Sequence, residues 1–283
     1  MTELLSQEEK AILLRQLHQG PKILVLPNAW DAASARIFEE AGFGAIASTS
    51  AGIAFALGYP DGQVIPRDEM LFMLRRIVAT VRVPVTADIE AGYGADSVDE
   101  VLTTVRGVLA AGAVGINLED LAEGGAALAD ADLQSEKIRT IRALADTHGI
   151  PLVINARTDI FSLASISAEE KLDRAIRRGN RYLDSGADCV FVPFVKDEPT
   201  ISALAQGIRG PLNILALPGS PSVSELEALG VRRVSVGGGP ARAAMSFTRS
   251  VAAELHDLGT YTRFTEQVMT YAEANQLFTK NNF

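Results

Sequence analysis

Short runs of aliphatic and β-branched residues recur along this chain. Longer stretches with apolar residues every three to four positions lie between them. The runs fall at residues 23–26, 45–48, 83–87, 114–118, 152–155, 189–192, 213–216 and 233–236. The longer stretches fall at 31–40, 67–81, 97–111, 131–147, 167–184 and 222–229. A continuous apolar run of four or five residues reads as a strand covered on both faces, and a period near 3.6 reads as an amphipathic helix. Strands that alternate with helices run parallel, because each return needs a crossover. Repetition of this unit along one chain predicts an α/β fold of (β/α)8 TIM-barrel type, with a doubly wound open sheet as the alternative.

The punctuation supports the same units. Ala41-Gly42, Ala111-Gly112 and Ser185-Gly186 close helices just before strands, where glycine supplies the left-handed turn. Ser97 with Glu100 and Ser167 with Glu170 have capping-box spacing. Residues 7–18 read as a helix ahead of the first strand, and 241–258 and 262–278 as two helices after the last. No composition break divides the chain, so residues 1–283 are expected to form one barrel domain with 241–283 as a C-terminal helical region. The second of these helices exceeds what one barrel needs. It is expected either to pack on another subunit or to lie across its own barrel.

Composition narrows the function classes. A net charge of −9 without a basic cluster argues against nucleic-acid binding. Hydrophobic residues make up 47% and charged residues 22%, enough to bury a large core. Cys189, the single cysteine, lies in an apolar run and reads as a small buried hydrophobe. The polar, acidic N-terminus is unlike a secretory signal, and no apolar stretch reaches membrane-spanning length; a cytoplasmic protein without membrane contact is the expectation.

In a parallel barrel the chemistry gathers at the C-terminal ends of the strands. The run at 83–87 leads into Asp88-Ile89-Glu90 and a glycine-rich turn. In an extended strand Asp88 and Glu90 share a face, and two adjacent carboxylates at a core edge favour a cation between them. Hard oxygen donors suit Mg²⁺ or Mn²⁺. The alternative is that one carboxylate caps the next helix and the other faces solvent. Thr49, Ser50 and Ala51 follow the second strand as small residues whose backbone N–H groups can hold an anion. Asp61 lies in a Pro-Asp-Gly turn, and Glu119 and Asp120 end the fourth strand. Asn155 and Arg157 share a face at the end of the fifth; Arg157 suits a substrate carboxylate, or else pairs with Glu119 or Asp159. Gly237-Gly238-Gly239 precedes a helix and offers either a phosphate site or a tight turn. His18, His148 and His256 lie away from every strand end and read as surface residues, and Lys196 reads as part of a charged helix start.

This ordering resembles the isocitrate lyase/phosphoenolpyruvate mutase superfamily. The resemblance spans Leu26-Pro27-Asn28-Ala29-Trp30-Asp31 to Ser235-Val236-Gly237-Gly238, with anchors at residues 58–61, 88–94, 115–120 and 155–157. It implies a (β/α)8 barrel, an exchanged C-terminal helix, homo-oligomers built from swapped dimers, bound Mg²⁺ and enolates of 2-oxo acids. By resemblance Asp88, Glu90 and Glu119 hold the metal, Arg157 binds a carboxylate, Thr49, Ser50 and Ala51 cradle substrate, and Asp61 acts beside the metal as base or water-orienting group. Glu90 stands where many members have Asp. The Cys-containing lid of the isocitrate lyases is replaced by residues 121–128, and the Lys and Asn of the phosphonomutase lid are missing as well. Pro193 replaces a Glu or His. The expectation is a Mg²⁺-dependent carbon–carbon lyase acting on a small 2-oxo or 2-hydroxy polycarboxylate through a metal-stabilised enolate. The alternatives are a carbon–phosphorus enzyme of the mutase type and a non-catalytic 2-oxo acid binding protein.

Overall fold

The computed structural model describes residues 5–94, 96–122, 124–266 and 268–279; Glu123 of the 121–128 segment lies outside them. Its strands are β1 (Leu24–Leu26), β2 (Asn28–Ala29), β3 (Ile46–Ser48), β4 (Val85–Asp88), β5 (Gly115–Glu119), β6 (Val153–Arg157), β7 (Cys189–Val192), β8 (Leu212–Leu215) and β9 (Arg233–Ser235). The helices are α1 (Gln7–Gln19), α2 (Ala32–Glu40), α3 (Ser50–Ala56), α4 (Arg67–Thr80), α5 (Val98–Ala110) and α6 (Ala131–Thr147). They continue with α7 (Ala168–Asp184), α8 (Glu198–Gly207), α9 (Val223–Ala228), α10 (Gly239–Leu258) and α11 (Tyr271–Thr279).

All strand pairs are parallel, in the order β1-β9-β8-β7-β6-β5-β4-β3-β2. The two ends of this order are joined by Pro27. Its ring removes the N–H, while its carbonyl accepts from the Ala47 N–H at 2.9 Å. β1 and β2 are therefore halves of one first strand, one pairing with β9 and the other with β3, and the sheet closes as a (β/α)8 barrel.

Alternation within the strands separates core from cavity. Ile116, Ile154, Val190, Ile214 and Val234 are buried in the layer between sheet and helices. Their neighbours Asn117, Asn155, Asn213 and Arg233 line the barrel interior. Full burial of each such aliphatic side chain contributes about 1.5–3 kcal/mol. At the N-terminal ends of the strands, Leu14 of α1 packs with Leu24, Leu26, Val114 and Val153.

α1 brings His18 inside, against the expectation of a surface residue: it is 3% exposed. Its Nδ1 donates to the Leu14 carbonyl at 2.7 Å, so Nε2 presents a lone pair to Arg233 Nη1 at 3.3 Å. Burial first, and the Arg233 charge second, hold its pKa down at about 3. Folded His18 stays neutral where the unfolded chain's histidine, near 6.5, takes a proton. Its contribution is complete above pH 6.5 and is lost as pH falls toward 3, at about 1.4 kcal/mol per pH unit. His18→Gln is expected to flatten the stability profile between pH 6.5 and 4. Denaturant titrations across that range check this; parallel profiles for both proteins would refute it.

Three local expectations are corrected. Ser97 and Ser167 cap α5 and α7 by accepting the Glu100 and Glu170 N–H groups. The two glutamates complete no capping box, because their carboxylates pair with Arg67 and Arg174. The predicted helix 262–278 is instead a 3₁₀ turn at Thr262–Phe264 followed by α11. The break follows from Glu254, whose carboxylate accepts from Thr260 Oγ1 and from the N–H groups of Thr262 and Arg263. α11 then docks on α2 of its own chain, with Arg36 Nε donating to the Leu277 carbonyl at 2.8 Å. The short helix α3 was not among the predicted helices, and α8 was expected only at its charged start beside Lys196. No helix among the described residues is long and apolar enough to cross a membrane.

Candidate active site

The C-terminal strand ends enclose a cavity of about 370 Å³. Thr49, Ser50, Ala51, Asp61, Asp88 and Arg157 all line it. Glu90 and Glu119 open on an adjoining cavity roofed by residues of the 121–129 segment, which also contains Tyr93 and Lys137. The six expected residues at the mouth are thus brought together, and the two glutamates stand behind them.

Asp88 ends β4 and is held from three sides. Its Oδ2 accepts from the Ser50 N–H at 3.1 Å and the Ser50 hydroxyl at 2.8 Å, and its Oδ1 accepts from Asn117 Nδ2 at 2.9 Å. Asn155 Nδ2 in turn donates to Asn117 Oδ1 at 3.0 Å. The Thr49 N–H donates to the Ala29 carbonyl, so two of the three N–H groups of the 49–51 segment serve protein acceptors. Asp88 is the last residue of β4, and Glu90 has a φ of +50°. That left-handed turn, not strand alternation, sets where the Glu90 side chain goes. Gly92 follows at φ +98°, where a Cβ would meet Val101 at 2.8 Å.

The carboxylates act on one another. Burial pushes Glu90 up to about 7, assisted by the charges of Asp88 and Asp61. Glu119 is raised by burial, against the pull of Arg157. Asp61, on its exposed turn, is raised by partial removal from water and then by Asp88. Arg157 sits among them: Nη1 is 2.9 Å from Glu119 Oε2, Nη2 is 2.6 Å from Asp159 Oδ1, and the guanidinium lies 5.7 Å from the Phe191 ring centroid. Its buried Nε has no acceptor among the described residues.

This excess of negative charge fits a hard cation. Among the described residues no three His, Cys, Asp or Glu side chains converge as a direct ligand shell. Such a set suits Mg²⁺, which keeps several waters and takes one or two carboxylates directly. Asp88 could hold such an ion, with Asp61, Glu90 and Glu119 adding negative charge around it.

Other lining residues were not singled out from the sequence as site residues. Arg242 of α10 lines the mouth, and Phe194, at φ +68°, lines it beside Pro193. Their signal was positional only, just beyond a strand end. Gly237 and Val236 both donate their N–H groups to Asn28 Oδ1 at 2.9 Å, and the Gly239 N–H donates to the Val236 carbonyl. These three N–H groups shape the turn rather than facing a phosphate.

A carboxylate-ringed cavity at the C-terminal mouth of a closed parallel barrel defines a (β/α)8 barrel of the enzyme class. The phosphoenolpyruvate phosphomutase family model matches residues 14–256, and the chain belongs to that family. A solved lyase/mutase-type structure from Burkholderia cenocepacia J2315 is 37% identical, with a TM-score of 0.88 over 96% of this chain and 97% of that one. The 2-methylisocitrate lyase of Bacillus subtilis is 31% identical over 73% of this chain and 67% of its own length. An oxaloacetate decarboxylase of Bradyrhizobium is 33% identical over 79% of this chain and 76% of its own length. A solved phosphonopyruvate hydrolase in complex with oxalate and Mg²⁺ is 26% identical, with a TM-score of 0.83 over 95% of this chain and 94% of that one.

Proposed function

We propose that the chain is a Mg²⁺-dependent carbon–carbon lyase acting on a small 2-oxo or 2-hydroxy polycarboxylate. The observation that carries this reading is the pairing of an anionic excess around Asp88 with the Arg157 guanidinium in one cavity. Bound Mg²⁺ supplies Lewis-acid stabilisation of negative charge developing on a 2-oxo oxygen.

The chain's own residues do the rest. Arg157 is held by Glu119 and Asp159, and its Nε–H is among the donors left for a substrate carboxylate. The Ser50 hydroxyl and Asn117 amide fix Asp88, so the metal-holding oxygen is placed before substrate arrives. Asp61, raised toward neutrality at the rim, is the group suited to orient water or to move a proton. Phe191, Pro193 and Phe194 give the cavity an apolar side. The 121–128 segment lacks the cysteine, lysine and histidine of a lyase lid, so the bond broken is one whose cleavage leans on charge stabilisation more than on a protein acid.

A turnover screen of small 2-oxo and 2-hydroxy acids and phosphonates, with and without Mg²⁺, tests the reading. Release of a shorter oxo acid only with metal is expected. Turnover of a phosphonate alone would favour the mutase alternative, and metal-dependent binding without turnover would favour a binding protein.

We also infer a homo-oligomer, because α10 and the segment after it leave Met245, Phe247, Leu258 and Tyr261 exposed along one C-terminal region. Light scattering that returned the mass of one chain would refute this.

A further inference from the structure

The proposed chemistry leaves the buried Arg233 in the same cavity unused. Arg233 opens β9, is 2% exposed, and lines the floor of the cavity whose rim carries Asp88 and Arg157. Two other arginines near the strand ends have acids to meet: Arg157 has Glu119 and Asp159, and Arg178 has Asp120. Arg233 has the neutral His18 at 3.3 Å, and its Nε finds no acceptor among the described residues. The nearest acidic influences on it are Cys189 and Asp88. The Cys189 thiol is pushed up to about 12 by burial and is uncharged at neutral pH. Asp88 is occupied by Ser50 and Asn117 at the rim.

Three more buried polar atoms lining this cavity lack partners: Thr86 Oγ1, Asn155 Oδ1 and Asn213 Nδ2. The Asn155 amide is oriented by its bond to Asn117, which leaves its oxygen turned away from that partner. Ser235 donates to Asn213 Oδ1 at 3.3 Å, which leaves the Asn213 amide hydrogens as donors. An unmade buried hydrogen bond is destabilising, and an unpaired buried charge is more so. A cation and two donors, the Asn213 amide and the Thr86 hydroxyl, share one cavity, and their unmet demand is for an anion with two oxygens.

We propose that Arg233, with Asn213 and Thr86, forms a second anion site at the floor of the cavity, which takes the substrate carboxylate remote from the metal end. The site makes the protein selective for 2-oxo dicarboxylates over 2-oxo acids that end in an alkyl group. This rests on the lyase reading for the metal end and adds the demand for a terminal charge. Arg242 at the rim can also attract a second carboxylate, so the test separates the two arginines.

Calorimetric titration of the Mg²⁺-loaded protein with oxalate, 2-oxobutyrate and 2-oxoglutarate provides that test. Wild type is expected to bind oxalate only with Mg²⁺, and to prefer 2-oxoglutarate to 2-oxobutyrate by about tenfold or more, the worth of one charge-assisted hydrogen bond. Arg233→Gln is expected to keep oxalate affinity and to lose that preference, and Arg233→Lys to restore part of it. A preference that survives in Arg233→Gln, or its absence in wild type, overturns the floor site. Failure of oxalate to bind with Mg²⁺ overturns the metal-end reading instead. If Arg233→Gln does not fold, a crystal of the wild-type protein with Mg²⁺ and 2-oxoglutarate decides. A terminal carboxylate on Arg233 Nε supports the site; a terminal carboxylate elsewhere, or a chloride alone at Arg233, refutes it.

Discussion

Asp88→Ala is expected to reduce metal-dependent turnover by at least about a thousandfold, or about 4 kcal/mol of barrier, while leaving the protein folded. The two halves of this expectation have separate causes. Activity falls because Asp88 is the one carboxylate at the cavity that is already oriented by three hydrogen bonds, and no neighbour has its support. Asp61 sits on an exposed turn and Glu90 opens on the adjoining cavity, so neither can take over. Stability is kept because the negative charge of Asp88 raises Asp61 and Glu90, and its removal relieves both. Metal-free Asp88→Ala is therefore expected to melt no lower than metal-free wild type. Addition of Mg²⁺ should raise the melting temperature of wild type and leave the variant unmoved. Full metal-dependent turnover in the variant would remove Asp88 from the chemistry.

The rim of this site was readable in the sequence because it is made of carboxylates and an arginine that terminate apolar runs. Asp88, Glu119 and Arg157 break the strand pattern where the strands end. The floor was not readable, and the reason is geometric. Asn117, Asn213 and Arg233 sit in strands, where a lone polar residue looks like an edge or a turn, and Asn155 was read only as sharing a face with Arg157. Only closure of the barrel shows that the face opposite Ile116, Ile154, Ile214 and Val234 is an interior. His18 was misplaced for a related reason: on a helix ahead of the first strand, nothing local tells that its partner is Arg233, 215 positions away. Glu90 shows the reverse case. Its identity was legible, but the strand argument for its direction failed because the backbone turns at Glu90 itself.

Asp120→Ala is expected to cost about 3–5 kcal/mol, the usual loss when one partner of a buried ion pair is removed. Asp120 is fully buried one residue beyond β5. Its Oδ2 accepts from Arg178 Nε and from the Tyr182 hydroxyl, each at 2.7 Å, and its Oδ1 accepts from the Asp159 N–H at 3.0 Å. Its backbone N–H reaches the Arg157 carbonyl, and its carbonyl accepts from Ala129, whose own carbonyl accepts from Arg178 Nη2 at 2.6 Å. One carboxylate therefore ties α7 to the loop carrying Asp159 and to the far end of the 121–129 segment. Removing it takes the acid away from a half-buried guanidinium and leaves the buried Tyr182 phenol without its acceptor. Tyr182→Phe deletes the hydroxyl's two bonds, one to Asp120 and one from Arg178, and leaves the ion pair, so about 1–2 kcal/mol is expected there. Chemical denaturation of both variants reads the difference directly, and an Asp120→Ala loss no larger than that of Tyr182→Phe would refute the ion-pair account. Because Asp159 is positioned by Asp120 and in turn holds Arg157, the same variant should raise KM for a carboxylate substrate more than it lowers kcat. A fall in kcat alone would place the effect on the metal side of the cavity instead.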